Sequence, residues 1–174
     1  MIIVENFLTP AVCEAIRSSY DDGLLYGSIK PNGESGKQDF EMSRFWPDTP
    51  WIVERAASLL SRHLDLHSLQ LDYCAYLRLL PGKCHELHAD AVKLDGTPNH
   101  TPTRVATAII FLSHSTRDFS NGILCFPELG VEIFARPGLL VGFPTDLVHR
   151  HEVTIVSRGV RDTIAVWFNQ GRPV

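Results

Sequence analysis

The chain has 174 residues, of which 44% are hydrophobic and 21% are charged, and its formal net charge at pH 7 is −4. This length and apolar content predict one globular domain over 1–174 with a core of its own. The mildly acidic balance argues against nucleic acid as a partner, because phosphate backbones favour clustered Lys and Arg, and no apolar stretch reaches the ~18 residues typical of a membrane-spanning helix.

The first third of the chain carries a short strand and two helix signals. Residues 1–7 are typical of a strand and lack the basic segment and longer apolar run of a secretory signal peptide. Thr9 and Thr49 each precede a proline, which combines an N-cap hydroxyl with a residue that favours the first helical position. Apolar residues follow at helical spacing, so we predict helices over about 10–21 and from 49 to about 64.

The segment 27–47 between these helices is polar and contains several glycines and prolines. We predict a loop there, and its length makes it a candidate lid or substrate arm.

From Leu69 onward the apolar period changes to two. Alternation from Leu69 to Leu79 predicts one long strand. Further β-rich runs, separated by Gly or Pro, follow at 105–112, 123–126, 131–135, 139–143, 147–156 and 163–168. Short strands without helices between them predict antiparallel sheets folded as a sandwich or jelly roll over about 69–170.

The segment that follows the predicted strand Leu69–Leu79 contains two residues of the types that bind iron. His88 and Asp90 are two positions apart in a segment of extended pattern, where such residues point to the same side. The similar pair His63 and Asp65 lies at a predicted helix end, where residues two apart do not face each other. Two imidazoles and one carboxylate hold ferrous iron and leave positions open for a co-substrate and dioxygen. A second histidine is therefore expected.

The residues alone leave the choice of that histidine open. His149 and His151 would lie on the same face of an alternating strand, and one of them can complete the site. His85 precedes His88 by three positions, a spacing that suits a metal site on a helix better than in the extended pattern predicted here.

Arg161 lies on a predicted inward-facing strand, with Thr163, Ala165 and Trp167 on the same face. A buried guanidinium is costly unless it meets an anion, and its planar fork matches a carboxylate. Arg161 therefore either binds an anionic ligand or forms a structural ion pair with an Asp or Glu.

The four cysteines are widely spread without a Cys-x-x-Cys pair, which indicates neither a zinc knuckle nor a disulfide scaffold. Buried reduced thiols are expected instead. We predict a reducing, cytoplasmic location, which also suits ferrous iron.

Several motifs between Tyr73 and Phe168 form a series: His88-Ala89-Asp90, then Asn121-Gly122, then the turn and strand Pro137–Phe143. The series closes with the pattern His-x-Val-x-x-Val-x-x-Gly-x-Arg, whose fixed positions are filled by His151, Val153, Val156, Gly159 and Arg161. This series resembles that of the iron(II) and 2-oxoglutarate dependent dioxygenases, in particular their prolyl hydroxylase and leprecan-like branch.

The resemblance implies a mainly β fold, with a double-stranded β-helix (jelly-roll) core and supporting N-terminal helices over about 8–66. It implies iron(II) held by His88, Asp90 and His151, which leaves His149 as a neighbour. It also implies that 2-oxoglutarate binds Arg161 through its distal carboxylate, and that ascorbate supports turnover.

The chain departs from the family at several positions that contact 2-oxoglutarate. Leu79 and Phe111 stand where relatives often have tyrosine, and Ala165 stands where they have a hydroxyl. Candidates to replace these contacts are Tyr76, Thr107 and Thr163.

The activity implied by the resemblance is hydroxylation of an unactivated C–H bond, with O2 consumed and succinate and CO2 released. The implied substrate is an amino-acid side chain of prolyl type, free or in a peptide or protein. The loops 27–47 and 91–103 flank the predicted mouth of the site. Candidates for substrate contact are Arg44, Trp46, Lys93 and Trp167.

Four other functions share some of these features. A nucleic-acid dealkylating oxygenase should be more basic than this chain, and a cupin that works without 2-oxoglutarate has no need of Arg161. A non-catalytic jelly-roll relative that binds a ligand or senses oxygen remains an alternative, as does a small-molecule oxygenase of a biosynthetic pathway.

Overall fold

The computed structural model of the chain describes residues 1–30 and 36–171. Within those residues the chain forms helices α1 (Pro10–Leu25) and α2 (Thr49–Leu64) and twelve strands. The strands are β1 (Ile2–Val4), β2 (Lys37–Glu41), β3 (Leu69–Leu79), β4 (His85–His88), β5 (Arg104–Phe111), β6 (Phe119–Asn121), β7 (Leu124–Phe126), β8 (Val131–Ile133), β9 (Leu140–Pro144), β10 (His151–Val153), β11 (Val156–Gly159) and β12 (Arg161–Gln170).

The strands build a jelly roll from two facing antiparallel sheets. The larger sheet has the order β1-β9-β5-β12-β3-β2, the smaller has the order β4-β10-β7-β8, and β11 pairs with β6. Phe111 and Phe143 of the larger sheet share one buried core with Leu124, Phe126 and Val153 of the smaller sheet. The predicted fold class, mainly β with a jelly-roll core and N-terminal helices, is confirmed.

Both helices pack on the outer face of the larger sheet. The hydroxyl of Thr9 accepts a hydrogen bond from the Val12 amide at 3.3 Å, and proline at the next position starts α1 as predicted. Ile16 of α1 and Leu60 of α2 are fully buried in a core that they share with the sheet residue Ile164. Neither helix among the described residues has the length and apolar character needed to cross a membrane.

The prediction of a loop over 27–47 is wrong in its second half. Residues 37–41 form β2, which pairs along β3 at the edge of the larger sheet, and a 3-10 turn follows at Met42–Arg44. Phe40 is the one large apolar residue of this strand, so the periodicity is weak. The pairing depends on the free edge of β3, which is remote in sequence. Pro31 and Gly33 lie outside the described residues.

The prediction of one strand over 147–156 is also wrong. The Asp146 side chain accepts a hydrogen bond from the His149 amide and caps a 3-10 turn at Leu147–His149. The chain then forms β10 in the smaller sheet and β11 in the separate strand pair. As a result, His149 and His151 do not alternate along a common strand.

Candidate metal centre

Two side chains of the smaller sheet and one from the segment after β4 converge on one point. The potential donor atoms of His88, Asp90 and His151 all lie within 4.8 Å of one another. His88 ends β4 and is the cross-strand partner of His151, the first residue of β10. Asp90 follows two residues later, with its Oδ1 3.6 Å from His88 Nε2. This set of two imidazoles and one carboxylate is suited to a non-haem iron ion.

Each of these side chains is oriented by a hydrogen bond of one polar atom, which leaves its second polar atom free to bind a metal. His88 Nδ1 lies 2.6 Å from the Glu86 carbonyl oxygen, and His151 Nδ1 lies 3.1 Å from the His149 carbonyl oxygen. A neutral imidazole that donates from Nδ1 leaves the lone pair of Nε2 free for a metal. The Thr107 hydroxyl donates to Asp90 Oδ2 at 2.6 Å, which leaves Oδ1 available.

His151 is embedded among aromatic rings and is only 4% exposed. The ring centroids of Phe143 and Phe126 lie 4.8 and 5.5 Å from its own. Burial lowers the pKa of His151, although the charge of Asp90 acts in the opposite direction. The imidazole is therefore neutral at physiological pH, as a metal ligand must be.

A cavity of about 190 Å³ extends from the three side chains into the jelly roll, and Arg161 lines it. Arg161 is 2% exposed, its Nε donates to the Gly122 carbonyl at 3.0 Å, and its buried Nη2 has no hydrogen-bond partner among the residues that the structure describes. Burial lowers the pKa of Arg161 to about 10, against an opposing effect of Asp162. A buried, unneutralised guanidinium beside a cavity is suited to an anion.

The neighbouring carboxylate does not neutralise Arg161, because alternation along β12 directs it to the opposite face. Asp162 is fully buried and accepts hydrogen bonds from Arg78 at 2.7 Å and from Arg17 at 3.1 Å. These ion pairs join the sheet to α1. Of the two roles expected for Arg161, an ion pair with Asp162 is therefore not formed, and the binding of an anionic ligand stays a prediction.

Two glycines allow Arg161 to reach its position. Gly159 has a φ of +75°, and a Cβ atom there would lie 2.0 Å from the Asp118 carbonyl oxygen. Gly122 has a φ of +63°, and a Cβ atom there would lie 3.1 Å from Arg161 Cδ. Both positions require the left-handed conformation and the absence of a side chain.

Comparison with known proteins identifies the family. A family model described as the 2OG-Fe(II) oxygenase superfamily, for 2-oxoglutarate and iron(II), matches residues 73–169. The chain belongs to this superfamily. The matched region runs from β3 to β12 and contains His88, Asp90, His151 and Arg161. No curated protein matches the sequence.

Three solved structures show the same fold. A viral collagen prolyl hydroxylase from Paramecium bursaria Chlorella virus-1, solved with 2-oxoglutarate, has a TM-score of 0.73 and 16% identity, over 98% of this chain and 96% of that chain. A prolyl-4-hydroxylase from Pseudomonas putida has a TM-score of 0.68 and 20% identity, over 98% and 92%. A prolyl hydroxylase from Trichoplax adhaerens, in complex with a peptide of hypoxia inducible factor, has a TM-score of 0.71 and 17% identity, over 97% and 83%.

As a member of this superfamily, the protein is an oxygenase, and the family uses iron(II) and 2-oxoglutarate. Its residues fit both groups. The nitrogen and oxygen donors of the triad suit iron(II), and the unpartnered Arg161 Nη2 suits a carboxylate of the co-substrate.

The remaining residues predicted to contact 2-oxoglutarate divide between two faces of the larger sheet. Thr107 and Thr163 line the cavity. Tyr76 does not fit the predicted contact, because it points to the helix side, where its ring stacks on Tyr20 with centroids 4.1 Å apart. Its neighbour Leu77 lines the cavity instead, as strand alternation requires.

Of the four residues predicted to contact substrate, two line a cavity that borders the triad and two do not. Lys93 and Trp167 line a second cavity of about 410 Å³, which shares His88, Asp90 and Trp167 with the first. Arg44 is exposed and pairs with Glu41 at 2.9 Å. Trp46 packs beside Ile52 at the start of α2. In the described part of the chain, Arg44 and Trp46 line neither cavity, so the expectation of substrate contact does not fit their positions.

Three further polar residues lie near the triad. His149 lies outside the triad, with its Nδ1 2.7 Å from Asp146 Oδ1. His85 lines the first cavity. Asp39 of β2 also lines it and was missed, because its segment was predicted to be a loop.

Proposed function

We propose that this oxygenase binds iron(II) through His88, Asp90 and His151 and binds 2-oxoglutarate through Arg161. We further propose that it hydroxylates an unactivated C–H bond of an amino-acid side chain, prolyl-type, free or within a peptide or protein. One observation carries the proposal: the triad and the unpartnered guanidinium nitrogen of Arg161 border the same cavity.

When bound, iron(II) and 2-oxoglutarate supply the oxidising chemistry, in which O2 is consumed, succinate and CO2 are released, and one oxygen atom enters the substrate. The protein fixes the components. Arg161 neutralises the distal carboxylate, and the apolar walls at Leu77, Ile109 and Val153 keep water from the reacting atoms. Ascorbate is expected to keep the iron reduced.

The second cavity supports an amino-acid or peptide substrate. It meets the first at His88, Asp90 and Trp167, so a group that enters it reaches the triad from outside. The indole of Trp167 lines both cavities, where it can contact an aliphatic side chain, and it is held by the Arg104 guanidinium, 4.7 Å from the ring centroid, and by the near-parallel ring of Tyr73, with centroids 6.1 Å apart. The peptide complex of the Trichoplax relative adds support for a peptide or protein substrate.

Mass spectrometry tests this function and its substrate class together. Purified protein with ferrous iron, ascorbate and 2-oxoglutarate is incubated with separate pools of free amino acids, proline-containing peptides and small metabolites. We expect succinate and an amino acid or peptide that has gained one oxygen atom, and neither product from His151→Ala. A product confined to the metabolite pool would refute the substrate class, and no succinate in any pool would refute the enzyme function.

A further inference from the structure

Asp90 is the one residue of the triad that lies outside a strand. His88 ends β4 and His151 begins β10, whereas Asp90 stands two residues beyond the end of β4. A metal-binding side chain has to be held within about 0.5 Å of its working position. The Thr107 hydroxyl fixes the Asp90 carboxylate, but the main chain that carries this carboxylate is not fixed by strand pairing.

The chain that follows the triad carboxylate folds back as a short hairpin. The Lys93 amide donates to the Thr97 carbonyl at 2.7 Å. At the tip, Asp95 Oδ1 accepts hydrogen bonds from the amide and the hydroxyl of Thr97, at 2.9 and 2.6 Å. These bonds give the hairpin a defined shape, and it returns the chain at Asn99 to the segment 89–91.

Three successive carbonyl groups of that segment accept hydrogen bonds from the returning chain. The Asn99 side chain donates to Ala89 at 3.3 Å, and the Asn99 amide donates to Ala91 at 3.2 Å. The Thr101 hydroxyl donates to the Asp90 carbonyl at 2.8 Å, which is nearer than Asn99 Oδ1 at 3.2 Å. The Thr101 amide donates to Asn99 Oδ1 at 2.7 Å, so the two residues also hold each other. We call them the Asn99–Thr101 clamp.

The Thr101 hydroxyl has a particular importance in this clamp. Asp90 is buried, and in the described part of the chain Thr101 is the one residue that donates to its carbonyl. A buried carbonyl that loses its donor is left unsatisfied, and the segment relaxes to find another partner. Such a movement would displace the Asp90 carboxylate from the two imidazoles.

We propose that Thr101 is a positioning residue for the metal: it fixes the main chain of Asp90, while Thr107 fixes the carboxylate. Thr101 acts through the backbone and does not bind the metal itself. This inference rests on the proposed function, in which Asp90 binds iron(II). Asn99 and Thr101 also line the second cavity, so the clamp connects the wall of that cavity to the metal-binding residue.

The experiment titrates the full, metal-free chain with Ni(II) in a calorimeter. Thr101→Val keeps the shape of the side chain and removes the hydroxyl, and Thr101→Ser restores a hydroxyl. Thr97→Val is the matched control, because it makes the same change in the same loop and removes the 2.6 Å hydrogen bond at the tip. If Thr101→Val does not fold, Thr101→Ala replaces it. A second measurement loads each variant with Co(II), whose visible absorption depends on coordination geometry.

We expect Thr101→Val to raise the Kd of Ni(II) about 3- to 10-fold, as for the loss of one hydrogen bond, and to change the Co(II) spectrum. Thr101→Ser and Thr97→Val should retain the Kd and the spectrum of the unaltered chain. The assignment is overturned if Thr101→Val raises the Kd less than about threefold, if its Co(II) spectrum is unchanged, or if Thr97→Val weakens binding equally. If the unaltered chain binds no Ni(II), it is the proposed function that fails.

Discussion

Replacing Arg161 with methionine should weaken co-substrate binding without destabilising the empty protein. The lowering of the Arg161 pKa from 12.5 to about 10 corresponds to a cost of about 3 kcal/mol for burying its charge. This cost is fully present at neutral pH, because a base with a lowered pKa regains stability only as the pH rises from about 10 towards 12.5. Loss of the hydrogen bond to Gly122 offsets about 1–3 kcal/mol of the gain. The free energy of unfolding should therefore be unchanged or rise by up to about 2 kcal/mol.

The same substitution should weaken the binding of 2-oxoglutarate. Removing one partner of a buried, hydrogen-bonded charge pair costs about 2–5 kcal/mol, which is about 30- to 5,000-fold in the Kd of 2-oxoglutarate. With 2-oxoglutarate at about 100 times its original Kd, ligand stabilisation is about 2.7 kcal/mol, or roughly 5–11 °C in Tm for a chain of this size. In Arg161→Met the same concentration should raise Tm by at most about 4 °C.

Thermal unfolding of the Ni(II)-loaded protein, with and without 2-oxoglutarate, measures both effects. Arg158→Met is the matched control, because Arg158 is exposed on the neighbouring strand β11. The reasoning is refuted if Arg161→Met retains the full ligand-induced rise in Tm. It is also refuted if the empty variant loses several kcal/mol of stability, since Arg161 would then be a structural residue.

Three further experiments test separate parts of the structure. His151→Ala should abolish stoichiometric metal binding in a calorimetric titration and His149→Ala should spare it, and the reverse result would contradict the triad. Thr107→Val removes the 2.6 Å hydrogen bond to Asp90 and should lower metal affinity about 10- to 100-fold in a competition titration, whereas unchanged affinity would show that the carboxylate needs no such support. Asp162→Ala removes the fully buried carboxylate shared by Arg78 and Arg17 and leaves these arginines only their more exposed partners, Asp21 for Arg78 and Glu14 and Asp118 for Arg17. It should cost up to about 3–5 kcal/mol in urea unfolding, and a cost below about 1 kcal/mol would contradict a stabilising role for the buried ion pairs.

Local signals in the sequence were sufficient for much of the fold. Thr9 caps α1 as predicted, and α2 begins at Thr49, although its N-cap is Asp48 and not Thr49. The alternation from Leu69 to Leu79 matches β3 at both ends. β2 could not be found in this way, because its residues are mostly polar and its pairing partner is supplied by a strand distant in sequence. A strand of this kind exists only through a non-local contact.

The face assignment of β3 shows a second limit. Helices cover one side of the larger sheet and the smaller sheet faces the other, so both faces of β3 are buried at Ala75 and Tyr76. Periodicity then indicates which residues share a face but not which face meets the cavity. For this reason the sequence selected Tyr76 where the structure places Leu77.

At the site, the sequence predicted the convergence of His88, Asp90 and His151, because their spacing fits a known series of motifs. It could not predict the position of His85, which depends on a bulge between β4 and β10.

Succinate formation tests the central claim, that His88, Asp90 and His151 hold the iron of a 2-oxoglutarate-dependent oxygenase, most directly. The protein is loaded with iron(II) and 2-oxoglutarate without oxygen, exposed to O2, and assayed for succinate beside His151→Ala and His149→Ala. We predict succinate from the unaltered chain and from His149→Ala, and none above background from His151→Ala. No succinate from the unaltered chain, or an equal amount from His151→Ala, would contradict the claim.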